Sequence, residues 1–248
     1  MISIGAAAGA VGSITGVGGG VLITPALTFI GFTSSQAAST SLIAVTSTSA
    51  SSTIAYSKQK RIDYATGIKM AALSIPGAII GALLSNEVST ENFKAYFAII
   101  LIAAGIYIAY KNSIVKEQST RKSKSIVFDL LFYVGSFAAG IVSSLFGIGG
   151  GIIFVPLMIL LLQMTMFRAG PTSQLTLLIS STAGVLTHTV LGHPDYVHGL
   201  FLAIGAFVGG QIGARFSHRI EERMLQKLFS VILIGAAIKL LLDFINKK

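Results

Sequence analysis

Two glycine clusters hold the chemistry this chain is best equipped for: Gly16, Gly18, Gly19 and Gly20, and Gly147, Gly149, Gly150 and Gly151. Consecutive glycines destabilise a helix and open backbone shapes that other residues cannot reach. Both clusters interrupt long apolar runs. In hydrocarbon a broken helix frees N–H and C=O groups, and this is tolerated only inside protein or facing a watery cavity. The residues after each break, Val21 onward and Ile152 onward, start a new half-helix whose free N–H groups and positive dipole end suit an anion. Pro25 and Pro156 fall near the starts of these half-helices and shape a bend. The competing reading is glycine used for close helix packing. Recurrence at matching positions favours a site, with Gly18, Gly19, Gly20, Gly149, Gly150 and Gly151 as its backbone.

Hydroxyl-rich segments follow each cluster. Hydroxyls can replace water around an anion, bond back to their own helix, or bridge helices. For most of these residues the structural use is preferred. The exceptions are Thr40, Ser41, Thr172 and Ser173, which are duplicated and follow the broken elements, with Gln174 beside them; these are expected to bind substrate. Gln36 and Arg168 occupy equivalent positions and are candidates for the mouth or gate, although an Arg there can equally snorkel to the interface. His188, near the end of an apolar segment, titrates near neutral pH, but a structural hydrogen bond is the simpler role. Asp63 and Asp195 each precede a Tyr and an apolar run, the pattern of a helix cap rather than a proton carrier. His193 and His198 read as loop residues, with no third ligand in register for a metal. No cofactor is expected.

The elements that must position these groups are membrane helices. Of 248 residues, 53% are hydrophobic and 11% charged, and the mean hydropathy is +0.80. Apolar segments fall at about 2–30, 37–57, 64–85, 92–110, 126–163, 170–191, 196–214 and 224–245, each near or above the ~20 residues needed to span a bilayer core. The net charge of +9 belongs to cytoplasmic loops of a membrane protein rather than to a nucleic-acid surface. With no cysteine there is no disulfide, thiolate metal site or thiol nucleophile. Nor is there a Walker loop, or a buried acid, base and nucleophile together, so an enzyme is not expected.

The chain repeats itself. AGAVGSITGVGGGVLITPAL at Ala8–Leu27 matches AGIVSSLFGIGGGIIFVPLM at Ala139–Met158, an offset of 131 residues. The match continues at an offset of 132: Ala37, Thr40 and Ser41 meet Ala169, Thr172 and Ser173, Asp63 and Tyr64 meet Asp195 and Tyr196, and Gly77 and Gly81 meet Gly209 and Gly213. Phe97 likewise meets Phe229. Such duplication is a transporter signature. It divides the chain into a first repeat over 1–112, a basic cytoplasmic linker over 113–125 and a second repeat over 126–248. The glycine stripes Gly77–Gly81 and Gly205–Gly209–Gly213 read as packing seams.

Loop charge reverses between the halves. Lys58, Lys60 and Arg61 precede the third segment, and the next loop has Glu87 and Glu91 without a basic residue. In the second half the His193–Asp195 loop has no Lys or Arg, while the next has Arg215, Arg219 and Arg223. The positive-inside rule then puts equivalent loops on opposite sides, an inverted repeat. Lys247 and Lys248 oppose this reading, and a parallel repeat would place them inside. The expected fold is an all-α polytopic membrane protein, each repeat a glycine-broken hairpin, re-entrant or crossing, plus three transmembrane helices.

GVGGGVLITPAL with GIGGGIIFVPLM, the AASTSL and AGPTSQL that follow, and IDYATG with PDYVHG resemble the sulfite exporter TauE/SafE family over nearly the whole chain. The resemblance implies a cell-membrane permease for a small anion such as sulfite, a sulfonate or a related organic acid. One internal departure is Leu42, which aligns with Gln174. The functional expectation is alternating access between inverted halves, with an uncoupled anion channel as the alternative. Its partners are the anion and the lipid bilayer, and the sequence also allows a homo-oligomer.

Overall fold

A computed structural model describes residues 1–87 and 126–221, with positions 98, 99, 102, 224, 227, 231, 234, 235, 237 and 238 described singly. The 113–125 linker, Glu91, Phe97, Arg223, Phe229, Lys247 and Lys248 lie outside the described residues. Eight α-helices are described, in two matching series. The first is α1 (Ile2–Thr15), α2 (Gly20–Phe29), α3 (Ser34–Lys58) and α4 (Tyr64–Leu84). The second is α5 (Ile126–Phe146), α6 (Gly151–Leu161), α7 (Met166–Val190) and α8 (Tyr196–Phe216), closed by a 3₁₀ turn at Ser217–Arg219. No strand is present among the described residues.

The glycine clusters split both long apolar runs, α1 from α2 and α5 from α6. Gly19 and Gly150 cap the second helix of each pair in the left-handed region, at φ 88° and 72°. An L-side chain there meets its own following carbonyl, which is why the break falls on glycine. The half-helices begin at Gly20 and Gly151, one residue before the positions expected from the sequence. Other starts are side-chain capped. Thr33 and Gln36 form a capping box on α3. Asp63 accepts from the Thr66 N–H at 3.2 Å, and Asp195 from the His198 N–H at 3.0 Å, as their positions predicted.

The packing is polar inside and apolar outside. α4 and α8 are each long and apolar enough to cross a bilayer. Their outer faces expose Ile68, Ile79, Ile80 and Leu83, and Leu200, Ile204, Phe207 and Ile212, the arrangement lipid requires. The 25-residue α3 and α7 instead run through the interior, with Ser39, Thr40, Ser41, Thr48, Ser49, Ser51 and Ser52, and Thr172, Ser173, Thr176, Ser180 and Ser181, buried. Small residues let backbones touch. α1 and α8 run side by side in the same sense, Gly5 against Leu202, Gly9 against Ala206 and Gly213 against Ala10. α4 and α5 do likewise, with Gly77 against Phe137 and Gly81 against Ile141. A Cβ at any of these glycines would overlap a neighbouring carbonyl, so each seam depends on glycine. By contrast α3 and α7 cross in opposite senses: Leu42 faces Gly184 and Thr46 faces Ser181.

The two ends of the bundle differ chemically. At one, Gln59 donates to the Ala214 carbonyl and Arg61 to Ser217, so the Lys58–Arg61 loop and the end of α8 share a face. At the other, Asn86 meets His193 and Thr40 meets the backbone of Asp195.

Candidate functional site

The two glycine turns meet in the interior. A Cβ on Gly20 would overlap the Gly147 carbonyl and Ile148, and one on Gly151 would lie 2.5 Å from the Gly16 carbonyl and 2.6 Å from Val17 Cα. Each half-helix therefore begins against the turn of the other half. The N–H groups of Gly20 and Val21, and of Gly151 and Ile152, have no acceptor among the described residues. These are the unsatisfied donors of two helix starts brought to one place.

Hydroxyls from α3 and α7 hold the turns in a reciprocal pattern. Ser41 Oγ donates to the Gly147 carbonyl at 2.8 Å, and Ser173 Oγ donates to the Gly16 carbonyl at 2.8 Å. Thr24 adds a second, longer bond to the Gly147 carbonyl, at 3.3 Å. Gln174 Nε2 donates to the Gly12 carbonyl at 2.9 Å. The threonines brace the helix ends: Thr40 accepts from the Asp195 N–H at 3.1 Å and Thr172 from the Asp63 N–H at 3.0 Å.

A hydroxyl has one proton. In this conformation the protons of Ser41 and Ser173 are committed to carbonyls, so these serines tie one half to the other and offer a ligand only lone pairs. Among the described residues, the helix-start N–H groups are backbone donors free of a protein partner. Among the described residues, the buried side-chain atoms without a partner are Ser49 Oγ, Thr53 Oγ1, Ser143 Oγ, Ser144 Oγ, Ser180 Oγ and Gln174 Oε1. Sequence reasoning assigned the structural role to Ser49, Thr53 and Ser180 and did not single out Ser143 or Ser144. Of the mouth candidates, Gln36 closes the capping box on α3, and the exposed Arg168 lies at the opposite end.

Between the turns sit Val45 and Leu177, which occupy equivalent positions in the repeat and are fully buried. A Cβ on Gly18 would lie 3.0 Å from Val45 Cγ1 and 3.1 Å from Leu177 Cδ1; one on Gly149 would lie 2.5 Å from Val45 Cγ1. The absent side chains at Gly18 and Gly149 leave room for Val45 and Leu177 beside both turns.

Two clusters escaped the sequence reading. Tyr56 and Arg61 are buried at the basic end. Tyr56 Oη donates to the Ser13 carbonyl, and the Arg61 guanidinium lies 3.4 Å from the Phe167 ring centre and donates to the Phe167 carbonyl, Gln59 and Ser217. His188 and His193 are buried at the other end and bonded to each other at 2.8 Å. His193 is therefore no free loop residue. His193 does lie in the α7–α8 loop, whereas His198 lies in α8, bonded to Asp195 at 2.8 Å. No group of three metal-ligating side chains occurs among the described residues.

A family model for the sulfite exporter TauE/SafE matches residues 1–240. The chain belongs to the TauE/SafE family. It is 31% identical to the "Probable membrane transporter protein YunE" of Bacillus subtilis, covering 94% of this chain and 93% of that one. It is 29% identical to the "Probable membrane transporter protein MJ0441" of Methanocaldococcus jannaschii, covering 94% and 91%. With the Escherichia coli "Probable membrane transporter protein YfcA" the identity is 24%, over 95% and 86%. No solved structure gives a significant match. This TauE/SafE chain is an integral membrane protein and a membrane transporter.

Proposed function

We propose that the protein carries a small oxyanion, of the sulfite, sulfonate or organic-acid class, between the two glycine turns. The observation that carries the reading is the meeting of two half-helix starts, whose unpartnered N–H groups belong to different halves of a duplicated chain. Two positive dipole ends and neutral donors stabilise an oxyanion without a buried Lys or Arg, which would cost on the order of 3 kcal/mol or more at the bilayer centre. Neutral donors also release the anion on the far side.

Transport proceeds by alternating access between two inverted repeats, 1–112 and 126–248, joined by the linker 113–125. Three features support this. The repeat-equivalent α3 and α7 cross in opposite senses. Loops that do not correspond in the repeat, Lys58–Arg61 and the end of α8, share the basic end. The two halves also exchange equivalent bonds, Ser41 to Gly147 and Ser173 to Gly16. The basic end is the cytoplasmic one by the positive-inside rule. The burial of Val45 and Leu177 beside both turns favours a carrier over a standing pore.

The test has two arms. Purified protein is melted against sulfite, thiosulfate, sulfonates and carboxylates side by side, and a bound anion raises the melting temperature by linkage. Proteoliposomes then report flux of whichever anion stabilises. No stabilisation and no flux with any of these anions would refute the reading. Flux at channel rates would overturn alternating access alone.

A further inference from the structure

His188 and His193 form a bonded chain with one consistent proton assignment. His188 Nε2 lies 3.1 Å from the Ser144 carbonyl, so it carries a hydrogen and donates. His188 Nδ1 is then the acceptor in the 2.8 Å contact with His193 Nδ1, which donates. That leaves His193 Nε2 as an acceptor, and Asn86 Nδ2 donates to it at 2.8 Å. Every ring nitrogen is satisfied with both imidazoles neutral. The chain links four elements, from the residue pair after α4 through the α7–α8 loop and α7 to α5, and it joins the first half to the second.

The same clasp exists at the opposite end in other residues. Tyr56 and Arg61 precede His188 and His193 by 132 positions, and Ser13 precedes Ser144 by 131. Tyr56 donates to the Ser13 carbonyl as His188 does to that of Ser144. Arg61 reaches across the halves to Ser217 as His193 does to Asn86. One clasp is built from a phenol and a guanidinium, whose ordinary titration lies far above neutral pH; the other is built from two imidazoles, whose ordinary titration lies close to it.

We propose that the His188–His193 pair is a proton-binding site that unlocks its end of the transporter. A proton from the adjoining aqueous phase adds to the Nε2 lone pair of His193. The imidazolium then has two N–H groups, so Asn86 Nδ2 faces a donor and the bond between the halves breaks, since the amide must leave the ring before its Oδ1 could accept from it. No bond other than the new N–H forms, and the proton leaves from the same nitrogen when the clasp recloses. Few charges compete. Glu87 follows Asn86 and is exposed, Asp195 is held by His198, and α3 and α5 present no charged side chain to the pair among the described residues. Burial also pushes the His193 imidazole below its ordinary range, so the neutral, closed form is the resting one.

The inference rests on the transporter reading, but its test needs no anion. The chain lacks cysteine. Ser144→Cys puts a thiol beneath the histidine clasp, Ser13→Cys puts one beneath the arginine clasp, and Leu191→Cys on the exposed loop corrects for thiol chemistry. In proteoliposomes, labelling of Ser144→Cys relative to Leu191→Cys is expected to rise about tenfold for the first pH unit below about 7.5, the slope of a single protonation. The Ser13→Cys ratio stays flat. Adding His193→Gln removes the rise, and adding Asn86→Ala gives fast labelling at both pH values. A flat Ser144→Cys ratio, an equal rise at Ser13→Cys, or a rise that survives His193→Gln would overturn the proposal. Absence of anion flux from the parent at every pH would instead sink the transport reading and leave the labelling result intact.

Discussion

Replacing Ser41 and Ser173 by alanine separates two otherwise equivalent residues. Each donates to a carbonyl of the opposite glycine turn at 2.8 Å. The acceptors differ in what remains. The Gly147 carbonyl keeps Thr24 at 3.3 Å when Ser41 is truncated. The Gly16 carbonyl has no second donor among the described residues, so Ser173→Ala leaves a buried acceptor unpaired. A hydroxyl bond between membrane helices is worth about 0.6 kcal/mol, whereas an unsatisfied buried acceptor costs about 1–3 kcal/mol. Ser173→Ala is therefore expected to lose about 1–2 kcal/mol more than Ser41→Ala. At this chain length each kcal/mol moves a melting temperature by about 2–4 °C. Thermal melts in detergent, run for both variants and for the double variant, read this directly. Equal losses, or a greater loss for Ser41→Ala, would refute the account of the turns as tethered by these bonds.

Gly192→Ala is expected to cost only the left-handed strain of about 1–2 kcal/mol, since nothing lies near its added Cβ, while Gly147→Ala, whose Cβ would lie 2.5 Å from the Ala38 carbonyl, should fail to yield monodisperse protein. Val45→Ala with Leu177→Ala opens space beside both turns, so proteoliposomes should leak small anions that the parent retains; an unchanged leak would remove the barrier from this place. Stability should fall as pH drops below the ordinary histidine value of 6.5, because the unfolded chain takes up a proton that folded His193 resists; melts of the parent and His193→Gln across that range check the sign. Gln174→Leu, which copies the equivalent Leu42, removes one bond but also an unpartnered Oε1, so it should melt close to the parent and lose anion stabilisation if Gln174 contacts the substrate.

The broken helices, the capped starts at Asp63 and Asp195 and the glycine seams were legible because each rests on a local rule. Glycine breaks a helix wherever it clusters, a carboxylate caps where it precedes an apolar run, and small residues at every fourth position pack backbones. The half-helix start shifted from Val21 to Gly20 because the left-handed residues of the turn end at Gly19, which leaves Gly20 helical. The partners of Ser41 and Ser173 were beyond reading, since they lie 106 and 157 residues away. The histidine pair was missed for a different reason. Its members are five apart, across the end of α7, and come together only because Gly192, at φ 72°, folds the loop back. A signal existed: Tyr56 and Arg61 stand at the same offset, and reading both pairs together would have marked the position as structured.

The duplication explains why the centre can be symmetric while the ends are not. Both turns must present the same bare backbone, because any side chain at Gly20 or Gly151 would enter the other half. Selection on either turn is thus selection on the fit between them, and the two sequences stay alike: GVGGG and GIGGG. The tethers are held less strictly. The first turn is held by Ser173 and Gln174, the second by Ser41 and Thr24, so the same mechanical task is met from different helices. The end clasps diverge further, arginine and tyrosine against two histidines. A carrier whose ends were identical would respond identically to both aqueous phases. Chemically different clasps around one shared centre allow the two phases to be told apart without altering the fit between the glycine turns.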